Sequence, residues 1–539
     1  MMFALLKQNI TGHILKLFLY FFTIYILIGC NIRLFAESAS ENPFHNYLIK
    51  QFQEKKFSNE LSKKIWNYLS NPSKGYKSAG LTSEEFARIV GDYVEAIYLQ
   101  KIIGSLLEVL SIDTRENLTE ERRAESISKY IKHIESVAQS LGLSVVNLEN
   151  KFLVINSNGE QPPLGIVGKI KISENYLKYQ TPLLKDENIL STPVLSSKTA
   201  IELALYATGI INSLGIKSHN RILIFVDLSL TSQTNVDTLL NSYEIAPLNL
   251  VLDSMFPAVC AEYGYAMIRL VQTVKNENET SLIRQIMFDG GEYQTPLNAQ
   301  ILLDEKRLDR EIIEEGVKKF SSKYNKVEVI SDGFQIRFSV PQSTKGPQQN
   351  ALDYLVLFLS ENRELYPEGV KIFEYLRRNI ILNPSGRGLG INRFHNLLKS
   401  TEVILKKVKI AENTYSADIY VRFPFGIDSS LLVEKVKKNI EVFNSRESVE
   451  IESYINAYNP IAIDSNSEVA TRIRRAYKSV TGENDKCIIA DGLYTKLFPN
   501  AIGFGPYSPL TSMSFSISRK EILRLTDIYL TALLFLMDR

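Results

Sequence analysis

A hydrophobic strand, a long apolar helix and a second hydrophobic strand follow one another in PPLGIVGKIKI (162–172), SKTAIELALYATGIINSLGI (197–216) and RILIFVDLSL (221–230). Strands without polar alternation need cover on both faces, which helices flanking a mainly parallel sheet supply, so the chain is committed to an α/β core. Upstream, FARIVGDYVEAIYLQKIIGSLLEVL (86–110) has the i, i+3, i+4 apolar spacing of helices, and LSVVNLEN (143–150) with KFLVINSN (151–158) predicts two strands joined by a turn. Downstream, YAMIRLVQTVKN (265–276) suggests a hairpin-like pair, followed by a long α+β stretch with strands in KVEVISDGFQIRFSV and YSADIYVRFPFG and helices in NALDYLVLFLSEN and SSLLVEKVKKNIEVF. Alternation then returns with KCIIADG, NAIGFGP and the helix KEILRLTDIYLTALLFLM. The expected architecture is one α/β domain made from both ends of the chain, residues 43–272 and 446–539, interrupted by an inserted domain over 273–445. A length of 539 residues suits this division, because single cores rarely grow beyond ~250 to 300 residues.

Charge excludes one class of partner. Sixty-two basic residues against 60 acidic ones give no field for a nucleic-acid backbone. At the N-terminus, Lys7, His13 and Lys16 precede an uncharged apolar run from Leu17 to Gly29, the layout of an export signal. The run is short against the ~20 apolar residues that span a bilayer. It ends in Leu27, Ile28, Gly29 and Cys30, which resembles the lipobox at which bacterial lipoproteins are cleaved and lipidated. The expectation is a signal peptide over 1–29, a lipidated Cys30 and a polar tether over 30–42, placing the protein outside the cytoplasm on a bacterial membrane. A single N-terminal spanning helix and simple secretion are the alternatives. The other cysteines, Cys260 and Cys487, sit in apolar runs far apart with no CxxC pair, so buried packing rather than a disulfide framework is expected of them.

Six short strings carry a more specific signal: LDSMFP (252–257 with Asp253), AEYG (261–264), NAL (350–352), VRFP (421–424), VTGE (480–483) and DGLYTKLFPNAIGFGP (491–506). In this order and spacing they resemble the M20 family of zinc metallopeptidases, nearest its bacterial dipeptidase branch. The resemblance spans roughly residues 43–539 and implies a catalytic α/β domain interrupted by a lid domain that often supports dimers. It also implies a binuclear zinc site that cleaves short peptides or N-acyl compounds through a metal-bound water activated by glutamate. Such a site needs imidazole and carboxylate ligands, with a carboxylate base beside them.

The positions that match those ligands are mostly altered here. The first histidine and its supporting aspartate fall on Lys169 and Lys171, whose protonated amines offer no lone pair. The bridging aspartate falls on Ser196, followed by Lys198, which does match the family. The general base and adjacent ligand fall on Leu228 and Ser229, with only the preceding Asp227 kept. Asp253 persists, whereas the last histidine ligand falls near Thr511. None of the five histidines, His13, His45, His133, His219 and His395, lies in a setting that would replace them. Lys169, Lys171 and Lys198 near Asp253 are expected to form a neutralised polar cluster in the former metal space. The lid arginine that holds a substrate carboxylate matches Arg422. The stretch around Gly492 offers Lys496 where the family has arginine, so these three are the candidate ligand-binding positions. The resulting expectation is a noncatalytic homologue without cofactor, acting as an envelope-anchored binding or scaffold protein for a peptide-like or carboxylate ligand. A metal-dependent dipeptidase or N-acyl amino-acid hydrolase with a reorganised site, and a purely structural lipoprotein, are the competing classes.

Overall fold

The structure is a computed structural model that describes residues 42–115, 118–159, 161–172, 180–214, 220–231, 234–252, 254–274, 281–289, 295–343, 349–491, 494–507 and 515–537. The helical stretch from Pro43 to Ser140 forms as its spacing predicts. Four of its helices start on side-chain caps, for instance the Thr82 and Glu85 capping box that opens the helix Ser83–Ile97. Two further helices, α1 (Leu99–Ser111) and α2 (Glu120–Ser140), carry the chain to the sheet.

Nine strands of the described chain build one mixed sheet. In chain order they are β1 (Ser144–Leu148), β2 (Phe152–Asn156), β3 (Gln161–Lys169), β4 (Asn220–Asp227), β5 (Leu248–Val251) and β6 (Val259–Glu262). The strand β7 (Gly264–Thr273) then leaves for a second sheet with β8 (Glu402–Ala411), β9 (Thr414–Phe423) and β10 (Glu452–Tyr458). β11 (Ile461–Ala462), β12 (Ile488–Ala490) and β13 (Ala501–Gly503) return to the first. Its order is β1-β2-β4-β3-β5-β13-β6-β11, with β12 also paired to β6. The central strands β4, β3, β5 and β13 are mutually parallel, and antiparallel pairs finish both margins.

Period-two alternation divides the sheet residues between two cores. Leu153 and Ile155 of β2 enter a large core under the helices, while Phe152 and Val154 enter a smaller one on the other face with Phe225, Val236 and Tyr494. The helix α3 (Ser197–Ser213) is buried from Ser197 to Ile211 because it lies between the sheet and other helices, including α4 (Arg519–Met537). Gly168 of β3 permits that approach: a Cβ there would meet Ile201 Cγ1 at 2.5 Å.

A separate core gathers residues from Ala266 to Ile451. It joins the sheet ordered β8-β9-β7-β10 to a second four-stranded sheet ordered Ile283–Phe288, Asn298–Leu303, Gln335–Ser339, Glu328–Asp332. The hairpin expected in YAMIRLVQTVKN is instead one continuous ten-residue strand, β7, paired along its length with β9. Strict alternation with no turn residue, from Ala266 through Leu270, favours a single strand with one buried face.

Candidate functional site

The parallel strands β3 and β4 end side by side, with Lys169 opposite Asp227, and the N-terminus of α3 lies on the connection between them. Ligand crevices of open α/β sheets lie at these carboxyl ends. Here the space holds protein contacts. Asp227 is fully buried and accepts four hydrogen bonds, from the backbone N–H of Ser229 (2.8 Å), the backbone N–H and Nδ2 of Asn235 (3.2 and 3.1 Å) and the Tyr494 hydroxyl (2.6 Å). These donors occupy the lone pairs a cation would need. The Lys169 ammonium, also buried, donates to the Thr231 carbonyl at 2.7 Å and lies 5.9 Å from the centre of the Tyr494 ring. Leu228, the residue that the resemblance matches to the catalytic base, is 1% exposed and packs in the large apolar core.

Ser196 caps α3, its hydroxyl accepting from the Thr199 N–H at 3.4 Å. Ser229 is half-buried beside Thr231, with their hydroxyls 3.3 Å apart, and Lys171 is half-buried just past β3. The expected lysine cluster is divided. Lys198 is drawn into the helical layer, where its amine donates to the carbonyls of Val109 (3.2 Å) and Ile112 (2.6 Å) at the end of α1. Burial pulls its pKa down to about 7, and the charge of Asp113 only partly offsets this. Cys30, Asp253, Gly492 and Thr511 lie outside the described residues.

The ligand-binding candidates are engaged by the chain's own acids. Arg422 of β9 donates from Nη2 to Glu402 (2.5 Å) and from Nη1 to Asp491 (3.2 Å), with its guanidinium 4.5 Å from the centre of the Tyr263 ring. Lys496 is buried against Glu262 at 2.7 Å, and the Thr495 hydroxyl donates to the same carboxylate. Sequence reasoning passed over Glu262, Tyr494 and Asn235. The first two lie inside the quoted AEYG and GLYTK strings, but their partners are 234 and 267 residues away, so no local pattern reveals the pairs.

Two further groupings were not expected. Cys260 and Cys487 form a disulfide across 227 residues, which replaces the two separately packed thiols anticipated above; β6 and β12 bring them together. Between helices, His133 of α2 lies 3.4 Å from the Ser105 hydroxyl and 3.3 Å from each of Glu202 and Glu108. Burial lowers its pKa, yet the hydrogen bond and charge of Glu202, with those of Glu108, outweigh that and hold it above the ordinary value.

Among the described residues, no group of three or more His, Cys, Asp or Glu side chains is placed to hold a metal ion. A binuclear zinc centre does not fit the donor set at the ends of β3 and β4, where an ammonium, a buried leucine and a saturated carboxylate meet. No protein-family model and no curated protein matches the sequence. Solved structures do. Human carnosine dipeptidase 1 superposes with a TM-score of 0.51 at 10% identity, covering 84% of this chain and 99% of that one. A di-peptidase from Saccharomyces cerevisiae gives 0.50 at 9% identity, covering 85% and 100%. An M20 family metallo-carboxypeptidase from Sulfolobus solfataricus gives 0.50 at 13%, covering 81% and 100%. Identities this low carry the architecture and nothing finer: the chain has the fold of these peptidases, and its described residues hold no set of metal ligands at the ends of β3 and β4.

Proposed function

We propose that this protein is a noncatalytic M20-fold protein held at a bacterial envelope, where its two-part body serves as a binding or scaffold module. The observation that carries the reading is Asp227. This acid, kept beside the positions matched to the base and its neighbouring ligand, is sealed by four protein donors and so is built into the fold as a structural acceptor. Hydrolysis of the family type needs a metal-bound water of lowered pKa and a carboxylate to take its proton. Leu228 supplies neither function. Export is supported by the charged and apolar N-terminal layout and by the Cys260–Cys487 disulfide, since such bonds persist in oxidising compartments. A carboxylate ligand at Arg422 would compete with two acids of the chain, Glu402 and Asp491, which favours a scaffold over a carboxylate receptor.

The test is metal quantification on protein supplied with zinc, cobalt or manganese, alongside a screen of dipeptides and N-acyl amino acids. Absence of stoichiometric metal and of turnover is expected. Turnover abolished by chelation, restored by metal and lost in Asp253→Ala would overturn the reading. Restoring Leu228→Glu alone is expected to give no activity, because ligands that act as one unit are non-additive.

A further inference from the structure

The chain passes between its two main cores twice, and both passages are strands of one ribbon. β6 continues through Tyr263 into β7, and β10 continues through Asn459 and Pro460 into β11. The two strands pair on both sides of the crossing, Tyr265 with Tyr458 in the lid-like unit and Ala261 with Ala462 in the body. A two-stranded ribbon has little stiffness of its own. Across it reaches the ion pair between Arg422 of β9 and Asp491, the residue that follows β12.

Asp491 depends on β12 for its position. β12 has three residues, pairs among the described residues only with β6, shifts register between Ile488 and Ile489, and leaves Ile489 39% exposed. Cys487, immediately before it, is bonded to Cys260 of β6, itself 6% exposed and part of the large core. The disulfide therefore fastens a weakly paired edge strand to the base of the ribbon and closes a covalent loop around the whole second core, residues 266–451.

We propose that Cys260–Cys487 is the anchor of a latch: oxidised, it holds Asp491 where Arg422 can reach it and restrains the lid-like unit against the body; reduced, it releases that restraint. The donor is a dithiol. One of its thiolates attacks a sulfur of the pair to give a mixed disulfide and free one cysteine. Its second thiol then displaces the other cysteine, so two electrons and two protons arrive as Cys260 and Cys487 thiols and the donor leaves as a disulfide. Arg422 keeps Glu402 and Tyr263, both on its own side of the bend or within it, and only the tie to the body is lost.

Hydrogen exchange on the full chain in detergent micelles, oxidised or treated with a dithiol such as dithiothreitol, reads the latch directly. Reduction should speed exchange at least tenfold in the ribbon (259–266 and 455–462) and in β12, and leave α4 unchanged. Cys260→Ser with Cys487→Ser should reproduce the reduced pattern without reductant. Asp491→Asn with the disulfide intact should loosen the ribbon but not β12. The proposal fails if the ribbon exchanges equally in both redox states. It fails equally if reduction accelerates α4 along with the ribbon, because the bond is then a staple of the whole fold. Finding both thiols free in protein isolated without reductant also overturns it.

Discussion

His133 lies between two acids in the helical layer, and its charge is tied to stability. Its pKa is raised in the folded state, because Glu202 and Glu108 outweigh the opposing effect of burial, so the protonated form is the one that folding favours. The contribution is complete below the ordinary value of 6.5 and is lost as pH rises through the higher folded value. Denaturant midpoints of wild type and His133→Gln, followed from about pH 5.5 to about pH 9, should differ most at the acid end and converge at the alkaline end. A second residue-scale prediction concerns Asp227. Tyr494→Phe removes a hydroxyl donor from a buried carboxylate, which should cost about 2 kcal/mol of unfolding free energy in urea titrations. At this scale the sequence exposed losses better than replacements. A lysine at 169 and a leucine at 228 announce themselves as non-ligands by type alone, whereas the donors that satisfy Asp227 come from Ser229, Asn235 and Tyr494, only one of which lies beside it in the chain.

Elements were legible where a single period ran over a length usual for their type. The alternating cores of β2 and the buried length of α3 follow from their own residues, and Ser196 at the start of α3 is a sufficient local stop for the preceding loop. β7 was misjudged because ten alternating residues are long for a strand and look divisible; a partner of equal length in β9 makes the long strand possible. Packing between elements has its own sharp test at Gly168. An added methyl would fall 2.5 Å from Ile201 Cγ1, so Gly168→Ala must push α3 off the sheet or force Ile201 out of its rotamer. Thermal or chemical denaturation should register a loss of about 1 to 3 kcal/mol. An unchanged midpoint would mean that α3 is not held at the distance described.

For the whole molecule, the N-terminal expectation has a direct check. Cys30→Ser should abolish lipidation and move the protein from the membrane fraction to the soluble one, as followed by fractionation and intact mass. A variant that stays membrane-bound with unchanged processing would point instead to an uncleaved spanning helix. No helix among the described residues is long and apolar enough to cross a bilayer, and residues 1–41 lie outside them. The sequence by itself determined the α/β class, the six ordered strings that resemble M20 peptidases, and the residue types Lys169, Ser196 and Leu228 at positions that the resemblance matches to ligands or base, because side-chain type and short-range period are local properties. Tertiary structure decided what lies at the ends of β3 and β4 and what joins the two cores. Asp227 with Tyr494, Glu262 with Lys496, Arg422 with Asp491 and Cys260 with Cys487 are contacts across 267, 234, 69 and 227 residues, and only the folded sheet brings such partners within bonding distance.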